Sequence, residues 1–213
     1  MKTVYDKRYQ TEGFYWGTRP SSLCYEILKL APPVKELRVL DVGCGEGKDA
    51  VFLARNGYHV SGFDASSVGI EKAKLAAERL DLSINFFVAD INEFRANERY
   101  DIIFSSGTLQ YIKPSLRGEI LSNYKEHTFA DGIHALHTFV GKPFVAKAPD
   151  AEENEALWAS GELMMKYKDW WIEWSAEEIR SCQSSGVPHW HAHNRVIARN
   201  RISRLESPVL GKA

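Results

Sequence analysis

An apolar run that ends in an acid and then passes through three glycines, Val39-Leu40-Asp41-Val42-Gly43-Cys44-Gly45-Glu46-Gly47, constrains the fold of this chain more than any other segment. Glycine tolerates positive φ and lets a ligand lie against bare backbone. The residues that follow, Lys48-Asp49-Ala50-Val51-Phe52-Leu53-Ala54, read as a helix, so the loop sits just ahead of unpaired N–H groups at a helix start. Strand, glycine loop and helix in that order open a nucleotide-binding α/β sheet.

Spacing and charge separate the candidate nucleotides. A dinucleotide loop needs G-x-G-x-x-G; Gly43 and Gly45 fit, but the third position is Lys48. A phosphate-gripping loop needs G-x-x-x-x-G-K-[ST]; Val42 stands at its first glycine and Asp49 at its hydroxyl. Asp41, Glu46 and Asp49 surround the loop and would repel a pyrophosphate that a helix start attracts. A ligand carrying a sulfonium and an ammonium is welcome beside acids, so the loop reads as a site for S-adenosylmethionine (SAM).

Tyr58 to Asp64 reads as a second strand whose terminal acid lies about 20 residues past the loop, where such acids bond ribose hydroxyls. Ile84 to Asp90 reads as a third strand, again ending in an acid. Asp41, Asp64 and Asp90 therefore converge on the carboxyl edge, where open α/β sheets bind ligands. Pro20-Ser21-Ser22 opens a helix with Leu23, Ile27 and Leu30 on one face. Ser66 or Ser67 starts another, with Ile70, Ala73, Ala77 and Leu80 in a stripe, and a third follows Pro114-Ser115 with Leu116, Ile120 and Tyr124. A fifth strand spans Ile133 to Val140. Gly141–Ser160, irregular and acidic, reads as an insert over the active-site edge, or equally as a plain surface loop. Trp171–Cys182 and His189–Arg199, around Ser184-Ser185-Gly186, read as an antiparallel hairpin, and Asn200–Ala213 as a loose tail.

With Tyr100 to Ser105 as a fourth strand, this set resembles the class I SAM-dependent methyltransferases. The resemblance implies a Rossmann-like α/β fold: a seven-stranded, mainly parallel sheet, helices on both faces, and a C-terminal antiparallel hairpin. Residues 1–213 would form one domain, with an N-terminal helical cover over 1–36 and the insert over 141–170. It also implies cofactor contacts at Asp41, Gly43, Cys44 and Gly45, at Asp64 with Ala65, at Asp90 with Ile91, and at Ser105. Within the class the chain looks most like the tellurite-resistance methyltransferases, through Tyr15-Trp16-Gly17-Thr18, Gly161-Glu162-Leu163 with Tyr167 and Trp170, and Val196-Ile197-Ala198-Arg199. In that family Tyr15 and Trp16 would cover the cofactor, with cation–π attraction for a sulfonium; an N-terminal staple onto the core is the plainer reading. One departure bears against tellurite: a His-Arg pair expected late in the penultimate strand is replaced by Arg180-Ser181.

Twenty-seven basic against 28 acidic side chains leave a net charge of −1, without the basic excess of a nucleic-acid binder, so the expected partner is a small-molecule acceptor. An Asp/Asn-Pro-Pro-aromatic tetrad, which a nucleic-acid amino-methyltransferase needs after the fourth strand, is replaced by Ser105-Ser106-Gly107-Thr108. Cys24, Cys44 and Cys182 lack the spacing of a disulfide framework or a structural zinc site, and Cys44 reads as a small residue in a crowded loop. No apolar leader or membrane-length run stands out, so a cytoplasmic monomer or homodimer is expected. A soft anionic acceptor, such as a thiolate or a tellurium or selenium oxyanion, needs alignment more than a base. Tyr111, Gln110 and His137 are candidates to shape its pocket, and Arg180 to hold its charge. The plainer readings are a core aromatic for Tyr111, a satisfied buried His137 and a solvated Arg180. His189, His191 and His193 share one strand face, with no cysteine or acid near enough to complete a metal set, so a wet hairpin face and no metal are expected. Packing is expected to account for most of the five tryptophans of the last third. The alternatives are a small-molecule O- or N-methyltransferase, whose hydroxyl or amine acceptor would call for a base, and a non-catalytic SAM-binding module.

Overall fold

In chain order the elements are α1 (Val4–Tyr9), α2 (Ser22–Leu30), β1 (Arg38–Val42), α3 (Lys48–Arg55), β2 (His59–Asp64), α4 (Ser67–Glu78), β3 (Asn85–Val88), β4 (Tyr100–Ser106), α5 (Arg117–Glu126), β5 (Thr128–Val140), α6 (Glu162–Met165), β6 (Trp171–Cys182) and β7 (His189–Arg199). A computed structural model describes residues 4–149, 151–183 and 186–201. The hairpin turn at Ser184 and Ser185 and the tail beyond residue 201 lie outside the described residues.

One sheet runs in the order β3-β2-β1-β4-β5-β7-β6. Strands β1 to β5 pair in parallel, and β7 is antiparallel to both of its neighbours. The chain grows outward from β1 to β3, then returns to the other side of β1 as β4. That reversal opens a crevice at the carboxyl ends of β1 and β4, where doubly wound sheets bind ligands.

Two cores cover the two faces, and the strands feed them alternately, as a two-residue period requires. Val39, Ile102 and Phe104 pack with Ile27, Leu53 and Ala73 of α2, α3 and α4. Leu40, Val42 and Ile103 pack with Ile120 and Tyr124 of α5, Trp158 and Leu163. β1 is buried on both faces from Val39 to Val42, Asp41 included, and its apolar residues feed both cores.

Several element boundaries follow local chemistry. Ser66 caps α4 by accepting from the Gly69 amide at 3.0 Å, and Ser21 caps α2. Leu80, expected on the α4 stripe, lies beyond the helix end and is exposed. β5 begins at Thr128 rather than Ile133, because Asp131 (φ 63°) and Gly132 form an irregularity within the strand instead of a turn before it. The tryptophans need a correction. Trp158 is buried, with Nε1 donating to the Leu109 carbonyl at 3.0 Å, and Trp170 packs on the core. Trp171, Trp174 and Trp190 are exposed, since β6 is an outer strand and β7 ends beside it. Glu173, Glu177, Glu178 and Arg180 stud β6, a charge pattern that discourages edge-to-edge pairing. Among the described residues no helix is long and apolar enough to cross a membrane.

Candidate functional site

The glycine loop turns sharply at the end of β1, with positive φ at Gly43 (72°), Gly45 (54°) and Gly47 (82°). At Gly43 a Cβ would stand 2.2 Å from Thr108 Cγ2, so only glycine lets the loop close on the segment after β4. Gly47 serves packing instead: a Cβ there would meet Ala73 of α4 at 2.7 Å. Beneath the loop Asp41 is buried, and that burial with Asp49 nearby pushes its carboxyl well above the usual range.

Asp64 ends β2 and ties two elements together. Its Oδ2 accepts from the Gly45 amide at 2.9 Å, and its Oδ1 from the Ser66 amide at 2.9 Å. Burial raises its carboxyl above the usual range, and those two N–H groups oppose the rise. The loop and the strand ends enclose a cleft of about 1010 Å³. Trp16, Gly43, Cys44, Gly45, Asp64, Ala65, Asp90, Ile91, Tyr111 and His137 all line it, as does Gln110.

Three expected residues do not line it. Asp41 is buried behind the loop. Ser105 is buried, its hydroxyl donating to the Val42 carbonyl at 2.9 Å and so joining β4 to β1. Arg180 lies on the outer strand β6, its Nε donating to Glu178 at 2.7 Å, and stays outside the cleft wall.

An N-terminal helical cover over 1–36 was expected, but the residues of α1 that line the cleft were not singled out. Tyr5, Arg8 and Tyr9 line the cleft, and Lys72 of α4 pins the segment behind them by donating to the carbonyls of Tyr9 (3.0 Å), Thr11 (3.1 Å) and Gly13 (2.6 Å). Lys72 also pairs with Glu46, whose Oε2 accepts from the Tyr15 amide at 2.7 Å. The N-terminal stretch is therefore a strap fastened to the glycine loop and to α4, with Trp16 half exposed at the cleft edge. Its only sequence signal was Tyr5 and Tyr9 four residues apart, one helical turn.

The far side of the cleft is aromatic and imidazole-lined. The Tyr111 hydroxyl donates to Glu155 at 2.9 Å and meets the Tyr5 hydroxyl at 2.6 Å. Burial pushes Tyr5 up to about 12 and Tyr111 higher, so both phenols stay protonated. Arg8 pairs with Glu152, so Glu152 and Glu155 bring the 141–160 segment against α1 and onto the cleft wall. His137 Nε2 lies 2.7 Å from His193 Nδ1; burial lowers His137 to about 3 and His193 to about 4, leaving both neutral. His191, His193 and Cys182 line the same wall, so this face of β7 is not simply solvated. The expectation that no cysteine stands near the histidines is also corrected, because the β6–β7 register sets Cys182 opposite His189.

Comparison with known proteins fits this architecture. Residues 4–185 match the family model described as tellurite resistance protein TehB. A probable SAM-dependent methyltransferase TehB of Haemophilus influenzae is 28% identical over 145 residues, which are 68% of this chain and 50% of that protein. The chain thus spans about half the length of the curated relatives it matches first. The crystal structure of TehB from Haemophilus influenzae superposes with a TM-score of 0.77 at 24% identity, over 92% of this chain and 66% of that one. A structure described as the conversion of a disulfide bond into a thioacetal group during echinomycin biosynthesis gives a TM-score of 0.69 at 22% identity, over 95% of this chain and 92% of that one. By the extent of the family match, this chain belongs to the tellurite resistance protein TehB family.

Proposed function

We propose that the protein transfers the methyl group of SAM to a small, soft acceptor, with a thiol as the leading candidate. The observation that carries this is the polarity of the cleft: glycine backbone with Asp64 and Asp90 on one side, neutral phenols and imidazoles on the other. Gly43 to Gly45 would accommodate the amino-acid part of the cofactor, Asp64 the ribose, and Asp90 with Ile91 the adenine. Bound SAM supplies an electrophilic methyl on a sulfonium, and alignment of an attacking atom with it supplies most of the rate.

The acceptor side refines the choice. Arg180 stands outside the cleft wall, and of the lining cations Arg8 is engaged by Glu152 and Lys48 by Asp49; Arg19 also lines the cleft, so an oxyanion stays the second candidate. A thiol arriving beside His137 hydrogen-bonds to a neutral imidazole, and a thiolate there raises the affinity of that imidazole for the released proton. Calorimetry with SAM and with NAD tests the cofactor half, and SAM alone should bind. A product screen against thiols, tellurite, selenite, amines and phenols tests the acceptor half. Turnover confined to phenols or amines would refute the soft acceptor, and SAM binding without turnover on any of them would favour a SAM sensor.

A further inference from the structure

We propose that Cys182, His189 and His191 form a binding site for a thiophilic transition-metal ion at the rim of the cleft. Two strands build it. His189 and His191 are two residues apart on β7 and so share a face, and Cys182 of β6 is the direct cross-strand partner of His189. One ligand atom from each residue lies within 4.8 Å of the others. In a tetrahedral site, ligand atoms bound at about 2.0 Å (N) and 2.3 Å (S) stand roughly 3.3–3.8 Å apart, so side-chain shifts of about an ångström complete the geometry.

The protonation pattern supports the same assignment. His189 Nδ1 lies 2.7 Å from the Val187 carbonyl, which can only accept, so Nδ1 carries the proton and Nε2 offers its lone pair. That Nε2 accepts from the Nε2–H of His191 at 2.8 Å, and a metal ion would take the place of this proton as His191 shifts tautomer. A ring N–H held by a carbonyl is the arrangement that orients metal-binding histidines. One thiolate and two imidazoles suit Zn²⁺ or copper and not Mg²⁺ or Ca²⁺. Arg180, opposite His191, has its charge offset by Glu178, which it shares with Arg195. All three ligand residues are half-buried, accessible to an ion yet sheltered from bulk water. Three protein ligands leave a fourth position for water or an added ligand, and two of the three, Cys182 and His191, belong to the cleft wall. This site stands or falls independently of methyl transfer.

Zn²⁺ titrated into the whole chain against a chromophoric chelator should bind one equivalent, and Co²⁺ should give a thiolate-to-metal charge-transfer band. Cys182→Ser should abolish that band, and Cys182→Ser and His189→Ala should each weaken Zn²⁺ by at least about tenfold, with folding checked by thermal melts. If either variant fails to fold, protection on the native chain gives the answer: Zn²⁺ should slow alkylation of Cys182, read by mass spectrometry. Absence of binding at micromolar Zn²⁺, a cobalt band that survives Cys182→Ser, or alkylation unchanged by Zn²⁺ would each overturn the proposal.

Discussion

Gly43 and Gly107 share a left-handed backbone, at φ 72° and 77°, but not the same surroundings. A Cβ on Gly43 would collide with Thr108 at 2.2 Å, whereas one on Gly107 would meet only His137 Nδ1 at 4.0 Å. Gly107→Ala should therefore cost about 1–2 kcal/mol of backbone strain, and Gly43→Ala a further 1–3 kcal/mol or so of overpacking. Urea denaturation of the two variants measures the difference, and equal losses would mean that the loop yields freely to Thr108. Asp64 presents a different balance. Sequence assigns it to a ligand alone, but its carboxylate also accepts from the Gly45 and Ser66 amides. Asp64→Ala should weaken SAM roughly 10- to 150-fold and also lower stability by about 1–3 kcal/mol, because two backbone donors lose their partner. Calorimetry and denaturation on the same variant separate the two effects; unchanged stability would make the backbone bonds incidental. At this scale the glycine loop, Asp64 and Asp90 were legible as residues that meet at one sheet edge, and they line one cleft. Asp41 and Ser105 were expected beside them but lie behind the cleft lining, since burial behind a loop is set by packing between strands and leaves no local mark.

The strap from α1 to Trp16 is the element the chain conceals best. Its fastening residues are far away in sequence: Lys72 reaches back 63 residues to Tyr9, and Glu46 reaches back 31 to Tyr15. A helix of six residues has little periodicity of its own, so the expected cover over 1–36 could be named only as a segment, with the Tyr5/Tyr9 spacing its one hint of which residues line the cleft. By contrast, α4 was legible from its Ser66 cap and its apolar stripe, and the hairpin strands from their length and composition. Lys72→Met should loosen the strap, removing an ion pair and three hydrogen bonds while leaving the sheet intact. Limited proteolysis should then cut faster within residues 10–19, bound SAM should dissociate faster, and the melting temperature should move by only a few degrees. Cleavage as slow as in the native chain would show that aromatic packing of Tyr9 and Trp16 holds the strap without the lysine.

For the whole molecule, one buried and two half-buried histidines make stability depend on pH in a defined direction. His134 sits between the Thr128 hydroxyl at 2.7 Å and the Tyr167 hydroxyl at 2.6 Å, and burial with Lys125 nearby lowers it to about 3. The His137–His193 pair, lowered to about 3 and about 4, joins β5 to β7 beside the cleft. An unfolded histidine titrates near 6.5. Between that value and the folded one the unfolded chain binds more protons, so this stabilisation is complete above about pH 6.5 and is lost as pH falls toward 3–4. Each histidine contributes a slope of up to about 1.4 kcal/mol per pH unit. Asp41 and Asp64, whose carboxyls are raised by burial, act with the opposite sign, so the total slope does not isolate the histidines. The difference between two proteins does. Urea denaturation at about pH 6 and about pH 5 should show native stability falling by about 1 kcal/mol more than that of His134→Gln, whose side chain cannot titrate. Equal slopes would mean that His134 takes up a proton in the fold as readily as in water, and that the dry polar contact tying β5 to Tyr167 is hydrated instead.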